Sequence, residues 1–317
     1  MERLTVVLEE SIMQKGRPAT AGSGMLENFI APVDAAVVTS LNKAGAEIAG
    51  RAKMDEFGIS GLFNSAATIT ETVRLVADGT AEIALCNDYT GAVSTSAAER
   101  GLYYIRPTYG TVSRYGLIPS VPSMDQIGII CRDISKGFNA LAIIAGYDPK
   151  DGVMLHDTPV KEKAREDREI VITSIKPEYS EIYSRVMQIL CCAELANSIS
   201  RYDGIKFGYR AKDYKNLDEL YKKSRGEAFG PDVKLAALIG AMVLSQENYS
   251  RYYDKAMRLR KIIKDTMDFS KYDVIRVINH QLSRLCGLPS VTTPEFTYIA
   301  NAGCEAVLQS AIEESSL

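Results

Sequence analysis

Histidine is nearly absent from this chain. His156 and His280 are the two in 317 residues, and neither stands at a metal-ligand spacing. A zinc site or a Ser-His-Asp triad needs imidazole in defined company, so neither is supported and no metal or cofactor is expected. Paired cysteines are lacking too. Cys86, Cys131, Cys191, Cys192, Cys286 and Cys304 are scattered with no C-x-x-C spacing, which predicts reduced, buried thiols in a cytoplasmic protein. No apolar run approaches the roughly 18 residues of a membrane span. The opening Met1-Glu2-Arg3-Leu4-Thr5 lacks the basic-then-apolar order of a targeting segment. Positive charge is not in excess: 37 Lys and Arg against 40 Asp and Glu give a net charge of −3. That removes a global attraction to nucleic acid and leaves only a local basic face open.

What remains is an ordinary globular composition, 46% apolar and 24% charged, long enough for one large α/β domain or two small ones. Residues 4–8 read as a buried strand with Glu9, Glu10 and Ser11 at its carboxyl end, where α/β sheets present functional groups. Asp34 is the expected N-cap of a helix through Val37, Val38, Leu41 and Ala44, closed by Gly45. A short strand follows at 46–48, then a capped helix running to Gly79. Strands are expected at 82–85 and 127–131, and Asp133 should cap a helix through Phe138, Leu141, Ala142 and Ala145 that Gly146 stops. Residues 147–168 read as a polar loop. Its alternating charges at 161–168 make a solvated face. A strand at 169–173 leads into a long helix over about 178–200, in which Cys191 and Cys192 are core thiols. Further helices run through Val243 and over 249–264. The basic end of the second (Arg258, Arg260, Lys261, Lys264) suits a helix carboxyl terminus. A strand at 271–275 and a final helix ending near Ala311 complete the chain.

The most distinctive stretch is 88–128. It runs Asp88-Tyr89-Thr90-Gly91-Ala92-Val93-Ser94, then Arg106-Pro107-Thr108-Tyr109-Gly110-Thr111-Val112-Ser113-Arg114-Tyr115-Gly116-Leu117, then Asp125-Gln126-Ile127-Gly128. Its glycines mark backbone that turns tightly or approaches a neighbour closely. The stretch resembles the amidase signature family, above all the A subunits of the amidotransferases that act on glutamyl-tRNA(Gln) and aspartyl-tRNA(Asn). Arg106 stands where they have Lys; residues 107–117 follow their pattern. The likeness extends over Met25-Leu26-Glu27-Asn28-Phe29, Met54-Asp55-Glu56-Phe57, 201–210 and 220–230, and so over most of the chain. It implies a mixed β-sheet covered by helices on both faces, in a shortened form, as a single domain over 1–317.

The family's chemistry, by the same resemblance, uses a nucleophilic serine, a bridging serine and a lysine. A serine hydroxyl needs a base to take its proton, and backbone amides of the turn stabilise the oxyanion. Matched residue by residue, the nucleophile position is Ala92, the bridging position Thr68 and the lysine position Glu9. The glycine-rich signature is replaced by 64–72, where β-branched Thr68, Ile69, Thr70 and Thr72 disfavour positive φ. Two arginines of the family after Lys234, one associated with the substrate carboxylate, are Leu235 and Ala236 here. The expectation is therefore a catalytically impaired or inactive homologue, a pseudo-amidase with a binding or regulatory role. Asp88, Thr90, Gly91 and Ser94 would line a vestigial pocket, with Asp88 a loop organiser and Cys86 a plain strand residue. Its partners would be other amidotransferase-type subunits or an active paralogue, with tRNA met only indirectly and no membrane. The alternative is an active amidotransferase subunit or amidase in which Thr90 or Ser94 supplies the hydroxyl and Glu9 the base.

Overall fold

The computed structural model describes residues 3–63, 70–155, 170–174, 180–278 and 280–315. Its strands are β1 (Thr5–Glu9), β2 (Glu47–Ala52), β3 (Ile83–Asn87), β4 (Tyr103–Arg106), β5 (Ile127–Cys131), β6 (Ile172–Ser174), β7 (Val274–Val277), β8 (Ser290–Thr292) and β9 (Thr297–Ala300). They form one mixed sheet in the order β2-β1-β3-β5-β4-β8-β9-β7-β6. β1 lies parallel to both β2 and β3, and β6 is parallel to β7; the remaining pairs are antiparallel.

Side-chain alternation along the strands assigns the two faces. Val6 and Leu8 of β1, Ile83 and Leu85 of β3, and Ile127, Ile129 and Cys131 of β5 share one apolar core with α1 (Ala36–Lys43), α4 (Ile134–Ile144) and α10 (Glu305–Ser315). Val7, Ala84, Cys86 and Ile130 point the other way, onto α2 (Glu71–Ala77) and α3 (Ala92–Ala98). Further along that second face, Ile275, Val277 and Ile299 meet a layer made by α5 (Ser180–Ser198), α7 (Pro231–Leu244), α8 (Tyr253–Asp265) and the short α9 (Leu282–Cys286); α6 (Leu217–Ala228) precedes α7 in the chain. Each fully buried aliphatic side chain contributes about 1.5–3 kcal/mol. A one-residue slip would turn every one of them to the wrong layer, so the register is fixed.

Several expectations need correction. Asp34 does not cap α1; the N-cap is Ala35, without a side-chain bond, and Asp34 Oδ1 instead accepts from the Lys15 amide at 2.8 Å. The strand expected at 46–48 continues to Ala52. The helix running toward Gly79 is α2, and Thr70 precedes it with no side-chain cap; residues 64–69, including Thr68, lie outside the described residues. The second late helix begins at Tyr253, not 249, and the last helix continues to Ser315. β4, α6, α9, β8 and β9 are elements beyond those the sequence pattern marks. Asp133 does cap α4, accepting from the Ser135 and Lys136 amides, and Cys191 and Cys192 are both fully buried. The basic end of α8 is held by specific contacts as well as by the helix dipole: Arg258 pairs with Asp254 and Lys261 with Asp265, while Arg260 donates to Leu285 O and to Ser123. His156 and the charged 161–168 lie outside the described residues.

Candidate functional site

The parallel pair β1 and β3 ends with Glu9 and Asn87 on adjacent strands, and the chain leaves β3 through Asp88 into the turn that starts α3. Gly91 takes φ +96° at the N-cap of α3, a conformation that L side chains adopt only under strain. Its surroundings are close but would admit a methyl group, so the backbone conformation rather than space selects glycine. A Cβ on Gly91 would lie 3.4 Å from His280 Cβ and 3.7 Å from Arg284 Cζ. Ala92, the first residue of α3, is 8% exposed and carries only a methyl group.

Asp88 organises this turn. Its carboxylate accepts from the Gly91 amide at 2.8 Å and the Ser94 amide at 2.9 Å, and it pairs with the buried guanidinium of Arg284. Arg284 Nε also donates to Asp88 O at 2.9 Å, its Nη2 to Ser94 Oγ at 2.8 Å, and its Nη1 to His280 O. Ser94 Oγ donates onward to Gly91 O at 3.0 Å. Thr90 Oγ1 accepts from the Ala92 amide at 3.2 Å. The Ser94 hydroxyl and the Gly91, Ala92 and Ser94 amides are thus engaged within the turn and with Arg284. On the strand side Arg106 reaches Asp88 O at 3.4 Å and Met124 O at 2.8 Å.

Electrostatics follow this wiring. Burial alone would raise the Asp88 pKa, but the Arg284 charge and the Ser94 and Gly91 amides outweigh it and hold it below the usual carboxylate range. His280, half-buried beside Arg284, is pushed down to about 4 by partial burial and by that charge, so it is neutral at pH 7; its Nδ1 lies 3.0 Å from Thr297 Oγ1. Burial of Arg106, with Arg284 near, brings it down to about 10, so it remains charged. Cys86 is pushed well above its ordinary range by burial and by the carboxylates of Glu9 and Asp88. It is a poor nucleophile in that state.

Among the described residues no cation contacts Glu9. The Ser11 hydroxyl and the Asn87 amide donate to it, yet burial dominates and pushes its pKa up to about 8. Beyond it, Asn87 joins Asp125 at 2.8 Å and accepts from the Gln126 amide at 3.1 Å. Asp125 is in turn held by the Ser120 and Val121 amides. A protonated Glu9 can donate a hydrogen bond; it cannot place a positive charge or an amine beside Ala92.

The structure therefore gathers Glu9, Asp88, Thr90, Gly91, Ala92 and Ser94 at the carboxyl ends of β1 and β3. Thr68 falls in 64–69. Leu235 and Ala236 lie on α7, the first facing solvent and the second buried. Arg284 and His280, which close over Gly91, are site residues that sequence reasoning misses. Among the described residues no group of three His, Cys, Asp or Glu side chains could hold a metal.

The segments that resemble the family are tied to one another. Arg114 forms a two-pronged contact with Asp151 at 3.0 Å and donates to Pro122 O, with its guanidinium 5.1 Å from the Tyr109 ring. Glu56 accepts from Ser23 Oγ and from the Gly230 amide, and the Tyr209 amide donates to Met25 O at 2.7 Å. These contacts join 23–29, 54–57, 201–210 and 220–230 into a frame around the turn.

The Amidase family profile matches residues 4–70, 74–176 and 153–277. The A subunit of glutamyl-tRNA(Gln) amidotransferase from Lachnoclostridium phytofermentans is 32% identical over 85% of this chain and 66% of its own length. The protein of the same name from Trichodesmium erythraeum is 33% identical over 86% and 68%. The chain spans about two thirds of the length of these relatives. Among solved structures, the native peptide amidase of Stenotrophomonas maltophilia superposes with a TM-score of 0.77 over 99% of this chain and 82% of that one, at 16% identity. The A subunit of glutamyl-tRNA(Gln) amidotransferase from Thermotoga maritima gives 0.65 over 98% and 83%, at 23% identity. Such a sheet, with a glycine turn at the end of a central strand, defines an amidase-type α/β protein. This chain belongs to the amidase family, and its sequence relatives named here are A subunits of glutamyl-tRNA(Gln) amidotransferase.

Proposed function

We propose that this protein is a pseudo-amidase: a single amidase-type unit that has kept the family frame, no longer hydrolyses amides, and serves in a binding or regulatory role. The observation that carries this reading is Ala92, a methyl group at the start of α3 where the resemblance calls for the nucleophile, with the Gly91, Ala92 and Ser94 amides and the Ser94 hydroxyl already engaged by Asp88, Thr90, Gly91 and Arg284. An enzyme that loses its nucleophile and its base loses several kcal/mol of transition-state stabilisation. Glu9, at the family's lysine position, cannot take over as a buried amine would. The frame contacts among 23–29, 54–57, 201–210 and 220–230 account for retention of those segments on structural grounds alone.

The relatives are named as one component of an amidotransferase, which supports a protein partner: another amidotransferase-type subunit or an active paralogue. With a net charge of −3, contact with tRNA would run through that partner. A cytoplasmic location belongs to the same reading. No helix of the described residues is long and apolar enough to cross a membrane.

One observation favours a second reading, an active enzyme with displaced residues. Glu9, at a pKa of about 8, exchanges its proton near neutrality, as a general base or acid should, and the Thr90 and Ser94 hydroxyls flank Ala92. A glutaminase and general amidase assay on the purified chain separates the two. No turnover above buffer is expected; turnover that disappears in Thr90→Ala or Ser94→Ala would replace the first reading by the second.

A further inference from the structure

Away from the 88–94 turn, a cavity of about 370 Å³ opens beside β2, the edge strand of the sheet. Its walls come from the loop after β1, with Glu10, Gln14 and Arg17, and from residues 48–51 of β2. Glu9 and Glu10 are adjacent in the chain but serve different places: Glu9 accepts from Ser11 and Asn87, whereas Glu10 accepts from Thr20 Oγ1. The cavity shares no residue with the turn. Two arginines line it. Arg51 is fixed by its Nη2, which donates to Ile12 O at 2.9 Å, while its Nε and Nη1 are shielded from water and have no acceptor among the described residues. Arg17 is exposed, and among the described residues its side chain makes no hydrogen bond or ion pair. Burial lowers the Arg51 pKa most; Glu10 opposes that and Arg17 adds to it, so the two guanidinium groups act on one another across the cavity. A guanidinium held out of water without a counter-ion is costly. Its planar fork of donors matches carboxylate and phosphate oxygens.

We propose that this cavity binds a small oxyanion, a carboxylate or a phosphate group, between Arg17 and Arg51. The bond to Ile12 O sets the Arg51 charge in place before the anion arrives, which lowers the cost of binding. Arg17, free of other partners, closes from the loop side, and Gln14 adds a neutral amide on the same wall. Glu10 sets the selectivity. Engaged by Thr20 through one oxygen, it repels a bare anion and favours one that brings its own donor, such as a hydroxyl, an ammonium or the proton of a monoprotonated phosphate. A cavity of about 370 Å³ is near the small end for ligand sites and suits a compact acid. Hydrolysis at the 88–94 turn, or its absence, does not bear on this site.

Isothermal titration calorimetry of the full chain near pH 7 tests it, with inorganic phosphate and, separately, with malate, at an ionic strength held constant by sodium chloride. Saturable binding of one or both is expected, with a Kd below about 1 mM. Binding of phosphate alone assigns the site to a phosphate ligand, and binding of malate alone to a carboxylate. Arg17→Gln, at an exposed position where the thermal melt should not change, should weaken binding about 10-fold, and Arg51→Gln about 100-fold. Glu10→Gln should tighten it, because a negative charge leaves the wall; general damage to the fold would not produce that sign. No saturable binding of either anion up to about 10 mM, or binding that Arg17→Gln or Glu10→Gln leaves unchanged, would overturn the proposal.

Discussion

Two carboxyl groups lie at the ends of neighbouring strands, each 2% exposed, and they ionise in opposite directions. Asp88 is held below the usual range, while Glu9 is pushed up to about 8. Depth is the same for both, so burial does not decide between them. Arg284 decides. Its guanidinium lies against Asp88 and leaves Glu9 with only a hydroxyl and an amide. Hydrogen bonds from neutral donors offset part of the desolvation of a buried carboxylate, and a contacting cation offsets the rest. Beside Ala92, then, the cation is engaged by the turn, and the neighbouring strand ends in an acid that keeps its proton at pH 7.

Arg284 carries the largest expected effect. Arg284→Met leaves Asp88 buried without its cation and should destabilise the fold by about 3–5 kcal/mol, read by urea unfolding at pH 7. Adding Asp88→Asn to that variant should recover part of the loss, since the two side chains are in contact and their effects do not add. Glu9 supplies the next effect. Its folded pKa is raised above the ordinary value, so its contribution to stability is fully present below about pH 4.5 and is lost as pH rises toward about 8. In that window the native state holds a proton that the unfolded state has released, and stability falls by about 1.4 kcal/mol per pH unit from this group. Glu9→Gln should flatten that slope between about pH 5 and 8 and leave the chain more stable at the upper end. The smallest effect belongs to Ser94→Ala. It removes one bond to Gly91 O and one from Arg284, and should lower the unfolding free energy by about 1–2 kcal/mol.

Half of this contrast is legible in the sequence. Glu9 and Asp88 stand at the ends of apolar runs that alternate between two faces of the sheet, so the strand ends and the place of the turn follow from periodicity and from the resemblance. Ala92 is readable for the same reason. Arg284 is not, because it meets Asp88 across 196 residues of chain and belongs to a five-residue helix with no periodicity to mark it. β8 and β9 escape for a similar reason: at three and four residues, their identity as strands comes from pairing with β4 and β7 rather than from local pattern. Asp34 shows local chemistry overridden. Its side chain bonds the Lys15 amide, and the helix begins one residue later than a cap at Asp34 would place it.

A pseudo-amidase carries no group at the 88–94 turn that attacks a carbonyl. Intact-mass spectrometry of the purified chain after incubation with an activated ester of glutamine tests it directly. The unmodified mass is expected; a stable acyl adduct mapped by peptide sequencing to Thr90 or Ser94 would show that the turn still carries a nucleophile.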